Sequence, residues 1–301
     1  MINALTIDVE DYFHVTAFEK IVSRRDWDIY PLRVGDNTRR VLDLLDEHSL
    51  SATFFVLGWV AERDPALVRE IARRGHEISC HGYGHELVYA IGPDAFREDV
   101  SHAKKLLEDL VGQPVLGYRA PSYSITADSM WALDILQELG FSYDSSIFPI
   151  RHDIYGVPGG ERFPHRISRN GGSILEFPLS TLNLRAMGRT FTVPIAGGGY
   201  LRLLPAFVVR GGIRRINTQE KQPAVLYFHP WELDPEQPRI KAGLRSTFRH
   251  YLNLDGTEDK LRTLFSDLPF GTMRETLSCF AAPDVDIPPH CSADEKTVGA
   301  A

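Results

Sequence analysis

Short apolar runs alternate along the chain with longer amphipathic ones. NALTIDV (3–9) reads as a buried strand. Residues 35–49, GDNTRRVLDLLDEHS, place Val41, Leu42, Leu44 and Leu45 on one side of a helix. SATFFVLG (51–58) predicts a second strand. DPALVREIARR (64–74) predicts a helix with Asp64 as N-cap and Pro65 at its first position, where a missing N–H costs nothing. HEISCHG (76–82) predicts a third strand, and residues 93–111 a helix ending at Gly112. PVLGYRAP (114–121) predicts a fourth strand, TADSMWALDILQELG (126–140) a helix closed by glycine, and FSYDSS (141–146) a fifth strand.

Strand and helix alternating at this spacing imply parallel strands joined by helices. Five such units before residue 150 predict a barrel or a doubly wound sheet. Residues 149–173, rich in glycine and proline, read as a long loop. SILEFPLSTLNL (173–184) and AVLYFHPWE (224–232) supply two more strands, with a helix over 199–217 between them. Residues 235–274 read as further helix and loop. Residues 281–301 are polar and proline-containing, and are expected to be disordered.

Charge narrows the picture. The net charge is −7, with no dense block of Lys or Arg, which argues against nucleic acid as the main partner. Cys80, Cys279 and Cys291 form no disulfide framework and fit a reducing compartment. MINALTIDVEDYF has no basic start followed by an apolar run, and no stretch reaches the ~18 apolar residues of a membrane span. A cytoplasmic protein with no membrane span is expected.

Several predicted strands end in polar residues able to do chemistry: DVED, HGYGH, YRAPSY, YDSS and FHPWE. In parallel β/α folds the C-terminal strand ends converge on the active site. Asp8 and Glu10, two apart, share a face of a strand; Asp11 points the other way unless the strand has already ended. One carboxylate can ligate a metal while another remains a base, although a solvated loop is an equal reading of this stretch alone. His81 and His85 face one side if the chain makes a helical turn there. With a carboxylate from another strand they make a three-ligand site with room for water, the pattern of a catalytic metal. The pair is not H-E-x-x-H, which excludes the zincin peptidase reading. His76, at the start of its strand, reads as structural, and Cys80 as a small core residue. Arg119 is placed to hold a carboxylate ionised, and Pro121 stiffens the turn after it. His229 reads either as a general acid or as a satisfied core histidine.

Taken in order, these stretches resemble the polysaccharide deacetylases, the NodB-homology carbohydrate esterases. The resemblance is nearest to the branch that accompanies exosortase systems in exopolysaccharide gene clusters. It covers roughly residues 3–235: TIDVED is similar to the family's first motif, HGYGH to the second, RAPSY to the third, YDSS to part of the fourth and YFHPWE to the fifth. It implies a distorted, TIM-like (β/α)7 barrel over 1–235, with residues 236–280 a branch-specific extension packed on it. It implies one divalent metal, zinc foremost with cobalt, nickel or manganese as alternatives, held by a carboxylate, His81 and His85. Asp8 matches the base, Arg119 the residue that orients it, His229 the general acid, and the backbone N–H of Tyr123 an oxyanion donor. Asp144 in the fourth motif is counted among the substrate contacts.

This chain departs from the family's pattern in three places. Val9 stands where a second aspartate is usual, so the metal carboxylate is Glu10 or Asp11, and side alternation prefers Glu10. Gly82 replaces a hydroxyl residue that often props the second motif. Tyr227 replaces an apolar residue lining the acetyl pocket. Tyr83 and Trp231 are candidates to stack on sugar rings, with core packing the competing reading. The implied activity is metal-assisted hydrolysis of acetamide groups on an N-acetylated poly- or oligosaccharide, an exopolysaccharide or its precursor. Three rivals use the same residues differently: an allantoinase-like opening of a small cyclic amide, a glycan-binding barrel without catalysis, and a glycosidase built on paired carboxylates.

Overall fold

The computed structural model describes residues 1–152, 154–169, 172–186, 188–195, 197–280 and 284–286. Twelve strands occur among them: β1 Asn3–Val9, β2 Thr53–Val56, β3 Glu77–Cys80, β4 Gly117–Tyr118, β5 Tyr143–Asp144, β6 His165–Arg169, β7 Gly172–Glu176, β8 Thr181–Ala186, β9 Arg189–Pro194, β10 Val225–Phe228, β11 Phe270–Gly271 and β12 Asp284–Asp286. The helices are α1 Val34–Glu47, α2 Gly58–Arg63, α3 Pro65–Arg73, α4 Val88–Val111, α5 Trp131–Glu138, α6 Gly198–Leu203, α7 Ala206–Arg215, α8 Leu244–Tyr251, α9 Thr257–Asp267 and α10 Met273–Ser278.

Seven strands run parallel in the order β10-β1-β2-β3-β4-β5-β7, which is the (β/α)7 arrangement expected. β1 lies inside it, with Ile7 opposite both Phe54 and Phe228, and all seven of its residues are buried. Burial on both faces explains why NALTIDV reads as a continuous run rather than an alternation. Ladder pairing stops between β7 and β10. Among the described residues a bridge from Gly197 to Tyr227, and the Val225 N–H donating to Ser180 Oγ (2.8 Å), span the gap. Only glycine fits at 197, since a Cβ there would lie 1.8 Å from the Tyr227 carbonyl oxygen.

The capped helices form as the sequence predicts. The Asp64 side chain accepts from the Leu67 N–H at 2.9 Å, with Pro65 at the first helical position of α3. Other expectations need correction. The helix foreseen over 199–217 is two, because Pro205 cannot donate within a helix. α4 starts at Val88 and bends at Gly92–Pro93, where Gly92 takes φ 77°. The fourth and fifth strands shrink to two residues each. The run 173–184 is β7 and β8 parted by Phe177–Ser180. The loop foreseen over 149–173 contains β6, antiparallel to β7. Beyond residue 235, β11 pairs with β1, and α8 packs on the turn Thr16–Phe18. Of the tail 281–301, residues 284–286 pair with β6, which differs from the disorder expected; the rest, Cys291 included, lies outside the described residues.

Candidate active site

The C-terminal ends of the parallel strands gather the polar residues. Asp8 is the penultimate residue of β1, Glu10 follows the strand, and His81 follows β3. Ligand atoms of Glu10, His81 and His85 lie within 4.8 Å of one another, all buried. Glu10 Oε1 is 2.9 Å from His81 Nε2 and 3.1 Å from His85 Nε2. The His81 Nδ1 is 2.7 Å from the Arg119 carbonyl oxygen. A carbonyl only accepts, so a neutral ring carries its hydrogen on Nδ1 and turns the Nε2 lone pair toward Glu10. Two electron-rich atoms this close call for a proton or a metal ion between them. The donor set of two imidazoles and one carboxylate fits a divalent metal. Burial alone would raise the Glu10 pKa; the imidazoles of His85, His229 and His81 reverse this and hold it well below the usual carboxylate range.

His85 reaches the cluster without the helical turn expected for it. It lies in a loop with φ 51°, a left-handed conformation rare for a side chain of this size. The loop is held from outside: Asp99 of α4 accepts the N–H groups of Tyr83 (2.8 Å) and Gly84 (3.0 Å), and Arg24 donates to the carbonyls of Gly84 (2.8 Å) and His85 (2.9 Å). A Cβ at Gly82 would lie 2.8 Å from Asp99 Oδ2. Asp99 thus does the propping that a hydroxyl at position 82 would do. It could not be found from sequence, because a carboxylate on a helix face carries no sign of its partners.

Asp8 lies beside the cluster. Arg119, fully buried, donates from Nη1 to Asp8 Oδ1 (2.7 Å) and Thr6 Oγ1 (2.8 Å). Its Nε and Nη2 donate to the Ser145 carbonyl (3.2 Å) and Oγ (3.0 Å). Each side of the guanidinium is thereby fixed, and the charge holds Asp8 in place as the sequence suggests. The other oxygen, Asp8 Oδ2, accepts from the Tyr123 hydroxyl (3.3 Å) and lies 3.9 Å from His229 Nε2. Tyr227 packs its ring 5.1 Å from Tyr123 and 5.9 Å from His229, so it lines this pocket.

His229 faces the cluster at the end of β10, with Nε2 4.0 Å from Glu10 Oε1. Its Nδ1 donates to Glu232 Oε1 at 2.7 Å, and Glu232 accepts from Arg202 Nε at 2.6 Å. Burial opposes the imidazolium, but Glu10, Glu232 and Asp8 overcome it and raise the pKa to about 9. Glu232 and Arg202 were missed from sequence. The i, i+3 spacing of His229 and Glu232 was a usable signal; the partner from α6 was not.

Five expected roles are not what the structure places. Asp11 is not in the cluster: its carboxylate accepts the N–H groups of Tyr12 (2.9 Å), Arg33 (2.7 Å) and Val34 (2.9 Å), and burial raises its pKa to about 6 despite them. The Tyr123 N–H is spent on the Ala120 carbonyl (3.0 Å), so in this conformation it is not an oxyanion donor. Asp144 is fully buried, accepts from Ser146 Oγ at 2.6 Å and pairs with Glu176, whose pKa burial and Asp144 push well up, so its carboxylate is spent inside the fold. Tyr83 turns outward, donating to Glu62 (2.7 Å) and stacking on His102 (4.6 Å). Trp231, 4% exposed, is sandwiched between His229 (5.2 Å) and His250 (4.3 Å). It offers no face to a sugar and instead braces His229.

Fold and cluster together define an α/β barrel with three buried side chains able to hold a cation beside an Asp–Arg pair. Residues 26–143 match the family described as polysaccharide deacetylase, and residues 145–278 match a domain of unknown function, DUF3473. The polysaccharide deacetylase match therefore takes in β2 to β4, α1 to α5 and the loop that carries His85. It is 30% identical over 151 residues to a peptidoglycan-N-acetylglucosamine deacetylase of Bacillus cereus, covering 46% of this chain and 53% of that protein. It is 31% identical over 93 residues to a chitooligosaccharide deacetylase of Sinorhizobium fredii, covering 31% and 43%. The chain thus spans about half the length, or less, of these relatives. A solved structure from Mycobacterium smegmatis, assigned to the polysaccharide deacetylases, shares the fold over 96% of this chain and 94% of its own, with a TM-score of 0.60 at 23% identity.

Proposed function

We propose that the protein is a metal-dependent N-deacetylase, a hydrolase of non-peptide carbon–nitrogen bonds, acting on acetamido sugars of an exopolysaccharide or its precursor. One observation carries the reading: a carboxylate fixed by arginine and a charged imidazole stand 3.9 Å apart against the Glu10–His81–His85 cluster. The names of the relatives, deacetylases of peptidoglycan and chitooligosaccharides, support the substrate class. Glu10, His81 and His85 would hold the metal, and two imidazoles with a carboxylate suit zinc. When bound, the ion supplies Lewis acidity, polarising an acetamide carbonyl and acidifying water.

The remaining work falls to the chain's own residues. Arg119 keeps Asp8 aimed, so Asp8 takes the proton from the attacking water. His229 enters the reaction as imidazolium, with its charge held by Glu232. It gives its Nε2 proton to the departing amine, which leaves poorly unprotonated. Tyr227 and Tyr123 wall the pocket around Asp8 and limit the acyl group it admits.

The test is acetate release from N-acetylated chitooligosaccharides and peptidoglycan fragments, followed by mass spectrometry before and after chelation. Turnover is expected to vanish on chelation and return with zinc. Acetate release indifferent to chelation, or absent from every N-acetylated oligosaccharide, sinks the reading.

A further inference from the structure

His229 has two supports, Glu232 on its Nδ1 and the Trp231 ring on its face, and both come from the short turn Pro230–Leu233. Each support leans on something beyond that turn. Among the described residues the buried Trp231 Nε1 has no hydrogen-bond partner, so the indole is held by what lies against it. His250 of α8 stacks on the same indole, with centroids 4.3 Å apart and planes 15° from parallel. Glu232 is held by Arg202, whose Nη1 donates in turn to the carbonyls of His250 (2.6 Å) and Leu252 (3.0 Å) at the end of α8. Both supports of His229 therefore meet at one residue, one through its ring and the other through its backbone.

The His250 ring is itself locked. Its Nε2 lies 2.7 Å from Gln237 Oε1. The Gln237 amide nitrogen donates to the carbonyls of Trp231 (2.9 Å) and Asp234 (2.8 Å), which only accept. Oε1 is thus the end that faces His250, and the ring carries its hydrogen on Nε2. Gln237 ties the backbone of the Trp231 turn to the ring that stacks on Trp231. Phe18 (4.7 Å) and Tyr251 (4.6 Å) pack against the rest of the imidazole, which is 3% exposed. Burial first, and then the charge on Arg202, lower its pKa to about 3, so the ring stays neutral. Leucine or phenylalanine would fill the space without that cost. What histidine adds is a directed hydrogen bond that fixes the plane of the ring.

We propose that His250 is a positioning residue for His229: through Trp231 and Arg202 it holds the imidazole at the angle from which Nε2 reaches the departing amine. α8, within the segment 236–280, then completes the site rather than merely packing on the barrel. The kinetic consequence rests on the deacetylase reading; the placement of His229 does not.

The full-length, zinc-loaded chain is compared with His250→Ala and His250→Phe. The hydrogen on His229 Nδ1, bonded to Glu232 at 2.7 Å, is expected as a slowly exchanging downfield proton resonance, assigned by its loss in His229→Gln. H250A is expected to broaden or remove that resonance. H250F keeps a flat ring on Trp231 and is expected to restore it in part. Bound zinc, measured by elemental analysis, is expected to be unchanged in both. In H250A the kcat for acetate release from a chitooligosaccharide is expected to fall about 10- to 100-fold with KM little changed. The kcat for 4-nitrophenyl acetate, whose leaving group departs without a proton, is expected to fall about 10-fold less. A resonance as sharp in H250A as in wild type overturns the assignment. So does a kcat loss common to amide and ester, or equal damage from alanine and phenylalanine. If wild type releases no acetate, the deacetylase reading alone fails, and the resonance still decides whether His250 positions His229.

Discussion

The chain before residue 145 and the chain after it build the site in different ways. The first part is strand and helix in regular alternation, and its contributions, Asp8, Glu10, His81, His85 and Arg119, all stand at or just past the ends of parallel strands. The second part closes the sheet with β7 and β10 but is otherwise hairpins, short helices and turns, and it supplies His229, Glu232, Arg202 and the Ser145 that grips Arg119. The proposed cation ligands and base come from the first part, and the proposed proton donor from the second. A repeating scaffold places ligands by topology alone, whereas a proton donor needs its pKa set, which calls for buried charges brought from several elements.

This division can be broken by substitution. His81→Ala removes a ligand from the first part and is expected to abolish both bound metal and acetate release; a variant that keeps metal, seen by elemental analysis, removes His81 from the ligand set. Asp8→Asn keeps the hydrogen bond to Arg119 but cannot accept a proton, so turnover is expected to fall by roughly 10²–10⁴-fold with metal content unchanged. Loss of metal in D8N would mean that base and ligand are not separate groups. Glu232→Gln acts on the second part. Without that charge His229 loses its proton more readily, so the basic limb of the kcat profile moves to lower pH and turnover at pH 8 drops about 10-fold. An unmoved limb would assign the proton donation elsewhere.

The smallest effect compares the two parts through one buried histidine from each. Burial lowers His76 to about 4 and His250 to about 3, with charged Arg202 adding to the latter. Both are neutral in the fold at pH 5, while the unfolded chain protonates them below its ordinary value of 6.5. Their depressed pKa values therefore cost stability as pH falls from 6.5 toward 4, about 1–2 kcal/mol each by pH 5. Among the described residues neither ring nitrogen of His76 has a hydrogen-bond partner. His76→Leu is expected to flatten the acid decline in Tm by a few degrees, and an equal decline in wild type and variant would contradict the assignment.

The sequence made the first part largely readable, because period and punctuation are local. NALTIDV, the Asp64–Pro65 start and the convergence of DVED with HGYGH needed only neighbours along the chain. What failed depended on partners far away. Asp11 and Glu10 look alike until Arg33 and Val34 bring their amides to Asp11. Trp231 and Tyr83 look equally suited to a sugar until His250 and His102 cover them. Asp144 needed Glu176 opposite it. The Tyr123 amide was spent by a backbone turn with φ 52° at Ser122 and 54° at Tyr123, which no side-chain pattern announces.

The interrupted ladder between β7 and β10 gives the barrel a seam. A closed ring of strands resists opening everywhere, but here, among the described residues, one bridge at Gly197 and one serine carry the join. Local opening is cheapest where the fewest bonds must break together. The strand that delivers His229 is therefore anchored by β1 on one flank and loosely latched on the other, so the barrel can part along that side while Glu10 and His81, just past β1 and β3, stay in register.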